Sequence, residues 1–182
     1  MADRIPTPDN VSGMTSLDPQ TTDMQMGLAQ DIALRRATLD DAGTIARHRR
    51  LMFRDIGYHD DALLNAMIEK FLPWIKAKIA SGDYLAWLAV STGDIVVAGA
   101  GLWLMDWPAH MVGSSARRGN ILNVYTEPQF RHRGLARWLV EAALHWCTAN
   151  EVDFVILHAS SQGRRLYESL GFQAGNEMRI KL

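Results

Sequence analysis

"PQFRHRGLARWLVEAAL", residues 128–144, crowds three arginines, a glycine and an alanine around the first turn of a segment that otherwise has the pattern of an amphipathic helix. Pro128 closes the strand before it, and Leu135, Trp138, Leu139, Ala142, Ala143 and Trp146 recur at helical spacing, so the helix must begin near Arg133 or Gly134. The first N–H groups of a helix have no partner within it and carry the positive end of the macrodipole, which suits an anion such as a pyrophosphate. Gly134 and Ala136 remove bulk that would hold a phosphate away from the backbone, while Arg131, Arg133 and Arg137 add full charges. These residues predict a strand–loop–helix nest for a bound diphosphate. A tight turn with a solvated basic edge would use the same residues, and short motifs of this kind recur by chance.

Working outward, Ile121 to Thr126 reads as the strand before the motif, Phe154 to His158 as the strand after its helix, and Gln162 to Ser169 as a short helix. Upstream, Ile32 to Ala37 predicts a strand, and Thr38 with Asp41 can cap the helix that follows. On that helix Ile45, Met52, Phe53 and Ile56 fall on one face, while Arg47, Arg49, Arg50 and Arg54 mostly leave it for a solvated one. Asp61 to Ala80 predicts a second helix, which Pro73 must kink or restart and Gly82 ends. Tyr84 to Val90 and Ile95 to Met105 form a hairpin joined through Gly93-Asp94. At the C-terminus, Met178, Ile180 and Leu182 alternate with charged residues, the period of a half-buried strand. The resulting order is β-α-α-β-β-β-α-β-α-β.

Two motifs in this order carry a resemblance. "RHRGLA", Arg131 to Ala136, is similar to the R/Q-x-x-G-x-G/A signature of the GNAT superfamily of acyl-CoA-dependent N-acetyltransferases, and it lies between a strand ending in "VYTEP" and a long helix. "RRLYESLGF", Arg164 to Phe172, resembles the family's A-x-x-L-Y-E-x-x-G-F segment, with Gly163 in place of the leading Ala. The resemblance extends from about Ile32 to Leu182. It implies an α/β GNAT fold, a mixed and mostly antiparallel sheet flanked by helices, in one domain at residues 31–182 behind a flexible tail at 1–30.

What the resemblance implies about chemistry agrees with the charge pattern. Acetyl-CoA would lay its pantetheine arm along the backbone of Val124, Tyr125 and Thr126 like an added strand. Its pyrophosphate would rest on the N–H groups of His132, Arg133, Gly134, Leu135, Ala136 and Arg137. Tyr167 would protonate the departing thiolate, a modest task because a thiol pKa of ~8.5 already makes thiolate a tolerable leaving group. The family's cofactor-binding Asn before the short helix is replaced by Ser160 or Ser161, and Ser161 is the counterpart adopted here. The glutamate base found on the preceding strand in some members has no equivalent in "FVILHA", residues 154–159.

An attacking amine must lose a proton, so a base should face the acceptor. His158 is the preferred candidate because an imidazole titrates near neutrality; Glu127, Asp106 and His110 are the others. The expected function is acetyl transfer from acetyl-CoA to a primary amine by direct attack in a ternary complex, with a small-molecule acceptor favoured over a protein. A non-catalytic acyl-CoA-binding or sensing domain is the alternative, and the missing carboxylate speaks for it.

Composition sets the remaining bounds. The 182 residues are 48% hydrophobic, enough for one domain with a substantial core. Lys plus Arg (19) nearly cancels Asp plus Glu (20), which leaves no global field for nucleic acid or a membrane surface. The longest charge-free apolar run, Ile95 to Met105, is about half the ~20 residues a membrane span needs. Cys147 stands alone, no apolar leader run is seen at the N-terminus, and the histidines show no metal-ligand spacing, so the expectation is a cytoplasmic protein without a metal. Arg117 and Arg118 read as a solvated hairpin edge. Residues 1–30 have the mixed polar composition of a tail, whose Met24 to Leu28 could dock on the domain or on a second copy, so a homodimer stays open.

Overall fold

The computed structural model describes residues 31–108, 111 and 113–181. The tail expected at residues 1–30 falls outside them, and so does His110. Strands β1 (Ile32–Arg36), β2 (Tyr84–Ser91), β3 (Ile95–Asp106), β4 (Arg117–Thr126) and β5 (Val155–Leu157) form one sheet in sequence order. The first three junctions are antiparallel and β4 pairs β5 in parallel, the mixed sheet expected. Helices α1 (Ala42–Asp55), α2 (Asp61–Ala80), α3 (Leu135–Ala149) and α4 (Arg164–Ser169) complete the fold, with α3 as the crossover that a parallel β4–β5 pair requires.

Local chemistry accounts for most element boundaries. The Thr38 amide donates to Asp41 Oδ2 at 2.8 Å, and Arg35 donates to both Asp41 oxygens at 2.8 Å, which holds that carboxyl below its usual range. Asp60 caps α2 by accepting from the amides of Ala62 and Leu63. Pro73 does not restart α2, which runs unbroken from Asp61 to Ala80; Pro73 and Glu69, whose carbonyl it leaves without a donor, are both exposed residues.

Side-chain alternation assigns the two faces of the sheet. A Cβ at Gly119 would touch Leu102 and Cys147 of α3, so that face packs on the buried Leu135, Leu139, Val140, Ala143 and Cys147. Gly101 faces the other way, towards Tyr84, which packs with Ile45, Phe71, Ile75 and Ala86 beneath α1 and α2. Burial pushes the Cys147 thiol up to about 11, so it is a core residue and not a reactive one.

The face under α1 and α2 holds a polar network. The Asn123 amide donates to the Tyr84 hydroxyl at 2.9 Å and accepts from Arg49 Nη1 at 2.7 Å. Asn123 has φ +55° and lies in a bulge, because Gly101 faces Leu122 while Gly99 faces Tyr125. Nearby, His48 is 2% exposed, with its ring 5.0 Å from that of Tyr125 and its Nε2 3.7 Å from Glu127 Oε1. Burial, aided by Arg47, pushes the imidazole down to about 4 although Glu127 opposes the shift.

Five expectations are corrected. The period-two segment around Met178 and Ile180 forms no strand: these residues are 94% and 84% exposed, because β5 offers only a three-residue edge. β4 begins at Arg117 and not at Ile121, and Arg118 is no solvated edge, since its guanidinium stacks 3.6 Å from the Trp107 ring centre and 4.5 Å from that of Phe154. β5 is shorter than Phe154 to His158. Arg49 leaves the solvated face and lies over the rings of Phe53 and Phe71 at 4.9 and 4.6 Å.

Two outcomes follow. Gly101→Ala drives a methyl into the Tyr84 ring and hydroxyl and should cost about 3 kcal/mol, read from the urea midpoint. His48 must charge in the unfolded chain near pH 6.5 but resists charging in the fold until about 4, so stability is lost as pH falls through that window. The parent should lose about 3 kcal/mol more than His48→Gln between these pH values in denaturation curves.

Candidate active site

Pairing between β4 and β5 stops at Ile121 and Leu157, yet β4 continues to Thr126. Leu122 to Thr126 therefore keep β3 on one side and have no strand on the other, a free edge about 16 Å long. The Asn123 bulge lies at its head. At its foot, Pro128–Phe130 make a 3-10 turn, and His132 (φ +61°) and Gly134 (φ +78°) bring the chain into α3. Glycine suits the second of these left-handed positions. Among the described residues, the N–H groups of His132, Arg133, Gly134, Leu135, Ala136 and Arg137 have no acceptor. The turn is thus a concentration of free amide donors that no carboxylate of the described residues occupies.

The three arginines divide. Arg131 turns back, donating from Nε to the Thr126 carbonyl at 3.0 Å and pairing with Asp55 at the end of α1. It closes the turn, and its charge is spent there. Arg137 donates to Ser169 Oγ at 2.6 Å and lies 3.4 Å from Glu141, tying α3 to α4. Arg133 is exposed, 5.7 Å from the Phe130 ring centre, and has no carboxylate partner among the described residues, which leaves its charge beside the free amides.

Ser160 spends its hydroxyl on the Gly163 amide at 3.1 Å, whereas Ser161 is exposed and unengaged among the described residues. A Cβ at Gly163 would lie 2.9 Å from the Tyr167 ring, which explains glycine where the family pattern has alanine. Tyr167 packs edge-on against Phe172, and burial raises its pKa, so the phenol stays a proton donor at neutral pH. Tyr167 and His158 both line a groove of about 1010 Å³ between α3, β5, α4 and residues 172–179. His158 is 57% exposed, 3.5 Å from Glu177 Oε1.

The other base candidates are placed less favourably. Asp106 faces Arg117 at the far end of β3, five residues and about 16 Å along β4 from Leu122. Glu127 is held by Arg47 at 2.7 Å, 3.4 Å from the Tyr125 hydroxyl. Arg49 and Asp55 escape sequence reasoning, because nothing near them in the chain signals their partners. Among the described residues, no group of three or more His, Cys, Asp or Glu could hold a metal ion, and no helix is long and apolar enough to cross a membrane.

With this geometry in view, the chain can be set beside known proteins. No curated protein matches it. Among solved structures it is similar to a GCN5-related N-acetyltransferase from Ralstonia eutropha, at 33% identity and a TM-score of 0.79, covering 83% of this chain and 98% of that one. It shares its fold with a predicted acetyltransferase from Clostridium acetobutylicum solved with acetyl-CoA, at 24% identity and a TM-score of 0.75, covering 83% and 95%. It does so too with glucosamine-6-phosphate N-acetyltransferase from Arabidopsis thaliana, at 18% identity and a TM-score of 0.61, covering 83% and 97%. Residues 47–172, more than half of the chain, match the acetyltransferase (GNAT) family, and with the strand, free-amide turn and helix found at its signature, this protein belongs to that family of acyltransferases.

Proposed function

We propose that the protein transfers an acetyl group from acetyl-CoA to a primary amine, within a ternary complex. The observation that carries this reading is the turn at residues 132–137, with six amides free and no carboxylate among them. Acetyl-CoA as co-substrate fits it: the pyrophosphate accepts from these amides, with Arg133 adding charge, and the pantetheine amides pair with the free edge at Val124, Tyr125 and Thr126. Thr126 takes part through its other groups, since its carbonyl already accepts from Arg131.

The amine attacks the thioester carbon, forming the C–N bond. An N–H of Val124 or Tyr125 stabilises the tetrahedral oxyanion. Collapse breaks the C–S bond, and Tyr167, kept protonated by burial, gives its proton to the sulfur. His158 takes the proton of the amine; of the candidate bases among the described residues, it is the one neither held in an arginine pair, as Glu127 is, nor placed at the far end of the sheet, as Asp106 is. Ser161 completes the cofactor contacts from the turn before α4. A cytoplasmic location and a small-molecule acceptor belong to the same reading.

Gly134→Glu places bulk and like charge at the phosphate and should weaken acetyl-CoA binding at least roughly 100-fold in calorimetry; an unchanged affinity refutes the site. Tyr167→Phe should lower kcat roughly tenfold with KM for acetyl-CoA nearly unchanged, because thiolate departure is only assisted. Rates equal to the parent's in a thiol-release assay would remove Tyr167 from the mechanism.

A further inference from the structure

Arg49 differs from the other arginines of α1. Arg47 meets Glu127 at 2.7 Å, and Arg50 and Arg54 share Asp61 at 2.8 Å each. Arg49 has no carboxylate partner among the described residues; its polar partner is the neutral Asn123 oxygen, and its buried Nε has no acceptor. Burial lowers its pKa; the Tyr84 phenol opposes the shift, and no carboxylate does. A half-buried cation without a counter-charge is costly, and stacking on Phe53 and Phe71 recovers only part of that cost.

Four further buried polar atoms lack partners among the described residues: Arg50 Nε, Trp103 Nε1, Arg118 Nε and Asn120 Oδ1. Trp103 Nε1 and Asn120 Oδ1 belong to residues that face each other across β3 and β4. Asn120 alternates with Gly119, which faces α3, so Asn120 and Trp103 point towards α1 and α2. Trp74 stands edge-on to Trp103 at 5.3 Å. Aromatic surface, one donor, one acceptor and one unpaired cation thus gather beside the bulge that heads the free β4 edge.

We propose that the acceptor is a small amine carrying a carboxylate on an apolar body, with the carboxylate seated on Arg49. The inference rests on the acetyltransferase reading and adds the acceptor class. One guanidinium matches one negative charge; a phosphate dianion would leave surplus charge in a half-buried place. Trp103 and Asn120 supply a donor and an acceptor for the polar ends of such a molecule, and the aromatic walls take its apolar body.

The test measures binding of N-acetyl-L-phenylalanine and of its neutral amide, N-acetyl-L-phenylalaninamide, to the full chain saturated with CoA. The acid should bind at least roughly tenfold more tightly than the amide. Arg49→Met, whose thioether fills the slot between Phe53 and Phe71, should abolish that preference in protein that still binds acetyl-CoA. Arg49→Lys keeps the charge without the fork and should reduce the preference at least about threefold, which carries the test should the methionine variant fail to bind acetyl-CoA. Acid and amide binding alike, neither binding, or a preference unchanged in the folded variants overturns the proposal. Failure of the parent to bind acetyl-CoA would instead overturn the acetyltransferase reading beneath it.

Discussion

The side chain of Asn123 joins Tyr84 of β2 to Arg49 of α1 through bonds of 2.9 and 2.7 Å, from a backbone held at φ +55°. All three groups are wholly or partly buried, so losing any one leaves the others unsatisfied where water does not easily reach. The position of the bulge is therefore over-determined: Gly101 must stay bare to admit the Tyr84 phenol, and Tyr84 must stay in place to receive Asn123. The bulge twists β4 just where β5 ends, and so the β4 edge beyond it can remain open while the rest of the sheet is closed by pairing.

The two ends of that open edge use charge differently. At the foot, full charges are mostly consumed by the protein: Arg131 is neutralised by Asp55 and Arg137 is engaged with Glu141 and Ser169. What remains for an anion is a set of amides oriented by left-handed turns at His132 and Gly134. At the head the reverse holds. Backbone groups are used by β3, and Arg49 keeps its charge with no carboxylate of the described residues beside it. Both ends thus favour anions, one through dipoles and one through a formal charge.

How much of this is legible in the sequence depends on the range of the interaction. The helix start at Leu135, the Thr38–Asp41 capping box, which closes the 3-10 turn leading into α1, and the β2–β3 hairpin are written in neighbouring residues. Pairings between distant residues do not read. Arg49 has the spacing of a surface residue, and only Asn123, 74 positions away, brings it inward. Arg118 hides the first residues of β4 because a planar guanidinium between two rings takes a place usually held by an apolar side chain. Met178 and Ile180 mislead in the opposite sense: alternation signals a strand only where an edge is long enough to receive it, and β5 provides three residues. Within the site, the residues around Gly134 are found from local pattern, whereas the sharing of Arg131 between Thr126 and Asp55 needs α1 to be placed first.

Peptide amides have no proton to gain or lose across the range in which imidazoles, thiols and carboxylates change state. A turn built of such free amides keeps its own charge pattern from acid to alkaline conditions, and short-range dipoles are screened by salt far less than distant ions. Variation of rate with acidity in this enzyme will therefore report on the groups that move protons, with little contribution from the cradle itself.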